Sequence, residues 1–243
     1  MIVYGINPVL EALRSGRAER VQVSRGTTNP RVRDLAERAR REGVPVAVVE
    51  PDVLQRLSRG GVHQGVAATV SEAEEWTPES LVASAVGAPL IVVLDGVEDP
   101  HNLGAILRTA DAAGATGLVR QTRRAAPLGG AAAKASAGAV AHVRVADVVN
   151  LSRALEALKE HGVWTVGLAG DAPLAYDRVD YRQPTAFVLG AEGTGLRRLV
   201  RERCDWLVAI PLAGHVESLN VSVATGIVLF EALRQRRGAA GPD

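Results

Sequence analysis

Residues 90–120 read LIVVLDGVEDPHNLGAILRTADAAGATGLVR, and the first six decide the fold. LIVVLD (90–95) is a continuous apolar run with no alternation. Strands buried on both faces of a parallel sheet have this pattern. A loop carrying Asp99-Pro100 follows. Apolar residues then recur at Leu103, Ile106, Leu107, Ala110 and Ala113, a helical spacing that predicts a helix over about 102–114. GLVR (117–120) is the next strand. A strand, a helix and a strand in this order make a parallel α/β unit.

Further toward the C-terminus, HVRV (142–145), VWTVGLA (163–169), TAFVLG (185–190) and WLVAI (206–210) are strand candidates. Helices fall between most of them, and a long one closes the chain over about 219–237. The expected fold class is α/β, with a parallel-sheet domain over 89–243. Toward the N-terminus the chain also alternates. INPVLEALRS (6–15) has helical spacing and RVQVS (20–24) alternates as a strand. Asn29-Pro30 reads as a cap followed by proline at the first helical position, with the helix ending at Gly43. PVAVVE (45–50) is a strand, PDVLQRLS (51–58) a short helix and VAATVS (66–71) a strand. This makes a small α/β domain over 1–71. SEAEEWTPE (71–79) carries four acids and no base. It fits an exposed linker or the entry to a helix, and the linker is placed over 72–88.

With 243 residues and 47% apolar content, the chain is long enough to bury a core without a disulfide or metal staple. Cys204 is its only cysteine, which excludes an intramolecular disulfide and any cysteine-cluster zinc site. His63, His101, His142, His161 and His215 show no zinc spacing. No metal is expected. Asp95, Glu98, Asp99 and His101 could be grouped as ligands, but they read better as an acidic strand-to-helix loop. No apolar run spans a membrane and no basic-then-apolar leader opens the chain, so the expected location is cytoplasmic. The net charge is only +1, yet 26 of the 28 cations are arginines, the better fork for phosphate. Codon bias from a GC-rich genome explains that count, so the count alone identifies no partner. Position is more telling: 120–144 holds Arg120, Arg123, Arg124, Lys134 and Arg144 with no acid, and 14–41 holds nine arginines.

The common phosphate-loop, dinucleotide and nucleophile-elbow motifs are absent from the sequence. What remains is three loops at the C-terminal ends of strands, where open α/β sheets bind ligands. In the first, Asn102 stands at a helix start, where it could cap the helix or turn the chain, and Arg108 lies off the apolar stripe, with small Gly104 and Ala105 beside it that leave room for a substrate. Arg108 could equally pair with Asp111 on the surface. The second, LGAEGTG (189–195), has three glycines that permit close backbone approach, and Glu192 as its only acid. The third, IPLAGHVESLNVS (210–222), sets Ser218, Asn220 and Ser222 before an apolar helix, as caps or as groups that orient a ligand.

These three loops resemble the SPOUT superfamily, and more narrowly its TrmH-type RNA ribose 2′-O-methyltransferases. DPHNLGAILRTADAAGA (99–115), FVLGAEGTGLRRL (187–199) and IPLAGHVESLNVSVATGIVLFEALRQ (210–235) carry the likeness, with YGINPVLEAL (4–13) and HQGV (63–66) matching the N-terminal domain. Leu212 stands where a methionine is common, and 170–184 is weakly patterned.

The resemblance implies a deep trefoil knot in the C-terminal domain and a small L30e-like N-terminal domain that binds RNA. Knots are otherwise rare. The implied cofactor is S-adenosylmethionine, held by backbone groups around Leu189, Gly190, Gly193, Ile210 and Leu219. The implied activity is methyl transfer to a guanosine ribose 2′-hydroxyl of 23S rRNA, by a homodimer joined through the knotted domain and partly through the last helix. Arg108 is implied as the deprotonating residue. Guanidinium groups ordinarily stay protonated, so a bidentate hold on the RNA phosphate is the other reading. Asn102 and Glu192 would shape the Arg108 loop, and Ser218 and Asn220 would orient Arg108, the ribose or the cofactor. A tRNA or another rRNA site as substrate stays open, as does a non-catalytic RNA-binding protein of ribosome assembly.

Overall fold

The computed structural model describes residues 1–14, 16–70, 75–128 and 131–239. The chain divides into two compact units, 1–74 and 75–243. Gly129-Gly130 and positions 71–74 of the acidic stretch lie outside the described residues.

The first unit runs β1 (Ile2–Tyr4), α1 (Ile6–Arg14), β2 (Ala18–Ser24), α2 (Pro30–Arg41), β3 (Val46–Val49), α3 (Pro51–Leu57) and β4 (Val66–Val70). Its sheet has the order β1-β4-β2-β3, with β2 and β3 parallel and the other pairs antiparallel. Val9 and Leu13 of α1 and Val32 and Leu35 of α2 pack with Val21 and Val66 to form its core. The Asn29 side chain accepts from the Arg31 amide at 3.0 Å and Pro30 opens α2, as the cap-then-proline pattern predicts. Gln64 sits at φ +53 and its Oε1 accepts the Ile6 amide at 3.0 Å. Within the HQGV segment, Gln64 thus ties the loop before β4 to the start of α1.

The second unit opens with α4 (Pro78–Ala83), within residues read from the sequence as linker. Thr77 and Ser80 form a reciprocal capping box, and Leu81 is fully buried. Glu79 thus lies in the first turn of a packed helix. There follow β5 (Leu90–Asp95), α5 (Pro100–Ala112), β6 (Gly117–Gln121), α6 (Ala131–Ala135), β7 (Val145–Val148), α7 (Leu151–Glu160), β8 (Trp164–Leu168), β9 (Leu174–Ala175), β10 (Thr185–Gly190), α8 (Arg198–Arg203), β11 (Trp206–Ala209) and α9 (Val221–Ala239). β7 lies three residues beyond the expected HVRV, because residues 139–141 form a 3₁₀ turn that His142 ends.

The seven strands are ordered β7-β6-β5-β10-β8-β11-β9, and every neighbouring pair is parallel. All six residues of β5 are buried. Val92 and Leu94 face one core with Leu103 and Ile106 of α5 and Leu229 of α9. Ile91 and Val93 face the other with Leu81, Leu151, Leu155 and Leu158. A strand sandwiched this way must be apolar at every position, which is why LIVVLD shows no alternation.

Candidate active site

The C-terminal ends of β8, β10 and β11 open on one cleft of about 650 Å³. Its walls are residues 168–171 after β8, 189–196 at the end of β10, and Ile210, Leu212 and 217–221 between β11 and α9. Open parallel sheets take ligands at this end, and the volume suits a small molecule. Leu189, Gly190, Gly193, Ile210 and Leu219 all line it, as do Glu192, Ser218 and Asn220.

Three of the site residues form a hydrogen-bonded triangle. Glu192 Oε1 accepts from Asn102 Nδ2 at 2.7 Å and from Asn220 Nδ2 at 2.8 Å, and Asn220 Nδ2 also reaches Asn102 Oδ1 at 2.9 Å. The triangle ties the start of α5 and the start of α9 to the glycine loop. The Asn220 Oδ1 faces the other way and accepts the Ser222 amide at 2.9 Å, capping α9. Of the two roles read for Asn220, capping is formed by its Oδ1, while its Nδ2 is bonded to Glu192 and Asn102. The cap of α5 is not Asn102 but Asp99, whose carboxylate accepts the His101 amide at 2.9 Å.

Arg108 is exposed and does not line the cleft. Among the described residues it has no ion pair or hydrogen bond, and the alternative pairing with Asp111 is not formed. The room expected beside it is occupied: a Cβ on Gly104 would lie 2.4 Å from Ala135 Cβ and 2.7 Å from the Ala132 carbonyl, so this glycine lets α6 pack against α5. Gly190 is also explained by protein rather than ligand. A Cβ there would lie 2.1 Å from the Gly195 carbonyl carbon, where the loop returns on itself with Gly195 N donating to Ala191 O at 2.9 Å. Gly193 differs. It sits at φ +75, and a Cβ on it would meet no atom within 4 Å.

Asp95, grouped above with possible metal ligands, is the buried end of β5 and forms an ion pair with Arg197. No cluster of three metal-ligating side chains occurs among the described residues. Sequence reasoning missed Arg197, since nothing distinguishes it from the arginines beside it. It also missed Asp171 and Arg201, which meet in a bidentate pair at 2.9 and 3.0 Å on the cleft wall. The Arg201 guanidinium holds the Asp171 carboxyl below the usual carboxylate range. Burial pushes the Cys204 thiol up to about 12, so it is no nucleophile at neutral pH.

The arginine-rich stretches sort by pairing. Arg120 is mostly buried and forms an ion pair with Asp147 at 2.8 Å, and Arg144 lies 5.0 Å over the Trp76 ring. Arg123, Arg124 and Lys134 are exposed and, among the described residues, unpaired. In the first unit Arg25 and Arg38 pair with Glu50 and Glu42, while Arg20, Arg40 and Arg41 are exposed and, by the same measure, unpaired. Among the described residues, no helix is long and apolar enough to cross a membrane.

Residues 89–230 match the SpoU rRNA Methylase family, and residues 2–76 match the RNA 2′-O ribose methyltransferase substrate-binding family. The chain is 46% identical, over 98% of its length and 97% of the relative's, to the 23S rRNA (guanosine-2′-O-)-methyltransferase RlmB of Xanthomonas campestris pv. campestris. It is 45% identical, over 96% of each chain, to the protein of the same name from Pseudomonas aeruginosa. Among solved structures it resembles the SpoU methyltransferase AviRb from Streptomyces viridochromogenes in complex with AdoMet (26% identity, TM-score 0.67, 98% of this chain and 91% of that one). It also resembles an AdoMet-bound rRNA methyltransferase from Sinorhizobium meliloti (29% identity, TM-score 0.66, 96% and 86%).

Proposed function

The chain belongs to the SpoU rRNA methylase family, and we propose that it methylates a guanosine ribose 2′-hydroxyl of 23S rRNA with S-adenosylmethionine (AdoMet). The observation that carries this reading is the cleft itself, with Glu192 linking its glycine loop to Asn102 and Asn220 in a chain so similar to RlmB proteins over nearly its whole length.

AdoMet supplies an electrophilic methyl group on a sulfonium. The cleft suits it. Leu168, Leu189, Ile210 and Leu219 offer apolar walls for a purine, while Glu192 and Glu217 put carboxylates beside a cationic ligand. Gly193 leaves open space where a side chain would project. The attacking hydroxyl is a poor nucleophile and must lose its proton as it attacks; the rest is positioning. The Asn102–Glu192–Asn220 triangle fixes the loops. Ser218 has no side-chain partner among the described residues and lines the cleft, which leaves its hydroxyl available to ribose or cofactor. Arg108 holds the RNA phosphate bidentately and so orients the ribose. Its exposure and lack of an acidic partner favour that role over a base held in the cleft.

The second unit is a deep trefoil knot, a reading favoured by the insertion of β10 between β5 and β8. The first unit is an L30e-like RNA-binding domain. The protein works in the cytoplasm as a homodimer, joined through the knotted domain. Val223 and Phe230 of α9 are half exposed on one face, with the partly exposed Ile227 between them, a stripe that suits such an interface. Arg123, Arg124 and Lys134, with Arg20, Arg40 and Arg41, supply phosphate contacts, so RNA affinity falls steeply with salt.

The test is ribose-methylation mapping of 23S rRNA and tRNA from a strain lacking the protein, with the purified chain and AdoMet restoring the mark. Loss of one 2′-O-methylguanosine in 23S rRNA is expected. Loss of a tRNA mark instead would move the substrate. No lost mark, with no AdoMet binding, would favour a ribosome-assembly role.

A further inference from the structure

Asp95 closes β5, its side chain wholly buried, and stands in register with Gly190 at the end of β10. Its two oxygens both go to Arg197. Oδ2 accepts the Arg197 backbone amide at 2.8 Å and Oδ1 accepts Nε at 2.6 Å. The Nη2 of the same guanidinium donates to Gln121 Oε1, at the end of β6, at 2.6 Å. Arg197 thus bridges two strand ends. Between Gly190 and Arg197 the chain turns back tightly, and that turn is the cleft wall carrying Glu192 and Gly193. Neither Asp95 nor Arg197 lines the cleft.

We propose that the Asp95–Arg197 pair is a positioning device for the cofactor: it anchors the Arg197 end of the 190–197 loop to the sheet, as β10 itself anchors the Gly190 end, so that the loop is preformed when AdoMet arrives. Without the carboxylate, the Arg197 end is released, and the loop is held only at Gly190 and through the bonds of Glu192 to Asn102 and Asn220. The backbone between Glu192 and Arg197 then samples open arrangements, and AdoMet must order it on binding. A preformed wall affects the cofactor's affinity rather than the methyl-transfer step. This inference rests on the reading of the cleft as the AdoMet site.

The experiment uses the full chain and three variants, Asp95→Asn, Arg197→Ala and Arg197→Lys, with AdoMet binding measured by calorimetry and turnover on an rRNA transcript. Asp95→Asn should raise both Kd and KM for AdoMet by at least about tenfold, the order expected when hydrogen bonds to a charged group are lost. The kcat at saturating AdoMet should stay within about threefold. Arg197→Ala keeps the backbone amide bond and should show a smaller rise; Arg197→Lys should recover part of it. Arg197 is half exposed, so its variants carry the test if Asp95→Asn does not fold. Folded variants with a lower melting temperature but unchanged Kd and KM would overturn the positioning role, and so would a fall in kcat at constant KM. An unmodified chain that fails to bind AdoMet would overturn the cofactor reading beneath it.

Discussion

Glu192 Oε1 accepts a hydrogen bond from Asn102 Nδ2 at 2.7 Å, although the two residues lie ninety positions apart. Asn102 is buried, so its amide depends on this acceptor. The same oxygen takes Asn220. Glu192→Ala leaves the buried amide without its carboxylate partner, at an expected cost of about 1–3 kcal/mol in stability. Glu192→Gln still offers one acceptor oxygen but no charge, and bonds to a neutral acceptor are roughly half as strong. The expected order of stability in urea unfolding is wild type, then glutamine, then alanine. Methyl transfer should fall in the same order. A glutamine variant as weak as the alanine one would show that charge, not acceptance, is what the triangle needs.

Arg108 separates function from stability. It is exposed and without a partner among the described residues, so Arg108→Ala should leave the unfolding free energy within about 0.5 kcal/mol of wild type. Turnover should nonetheless fall by about 10²-fold or more, the scale of a lost charge-stabilising or proton-handling group. Arg108→Lys keeps the charge and loses the fork. Single-turnover rates for the three chains decide the matter. A lysine variant with near-full activity would remove every fork-specific role.

Some of the fold was legible in the sequence and some was not, for identifiable reasons. β5 and β10 were legible because burial on both faces leaves an unbroken apolar run. β1 is a three-residue strand, too short for any period to register. α4 is short, and the acid-rich sequence before it fits the entry to a helix as well as a linker; Glu79 lies in the helix's first turn. β7 was misplaced because HVRV alternates as well as VADV does. At the site, the glycines, Glu192 and the Asn and Ser residues were nominated by their loops. Their reasons were not: Gly190 and Gly104 are required by neighbours that sequence spacing does not reveal. Asp95 and Arg197 bond across 102 positions, and no local pattern carries that information.

The glycines make a paired prediction. Gly190→Ala puts a methyl group into the backbone of Gly195, and no flexible side chain can yield there. The cost is that of overpacking, about 1–3 kcal/mol or more, together with a displaced loop. Gly193→Ala meets no atom, and its cost is only that of an alanine at φ +75, about 1 kcal/mol. Thermal unfolding should therefore separate the two variants. Binding need not: AdoMet titration should show weaker affinity in both, through a distorted wall in one and an occupied or re-oriented one in the other. Equal melting temperatures would refute the close approach at Gly190.

Asp205 gives the pH prediction. Its carboxylate accepts the Thr165 amide at 2.8 Å and the Thr165 hydroxyl at 2.7 Å, and it pairs with Lys159 at 2.8 Å, joining α7, β8 and the start of β11. Burial raises its pKa, but the bonds from Lys159 and Thr165 outweigh burial and leave the pKa lowered. A carboxyl depressed in the folded state contributes stability above its unfolded pKa and loses that contribution as pH falls through the folded one. Asp205→Asn should therefore lower the melting temperature at pH 7. The gap between variant and wild type should narrow as pH falls through about 4, where an unperturbed aspartate is half protonated, and go on narrowing below it. Melting curves of both chains from pH 7 to pH 3 test this. A gap that stays constant across the range would mean that the asparagine destabilises through shape alone, and that the carboxylate's charge holds nothing in place.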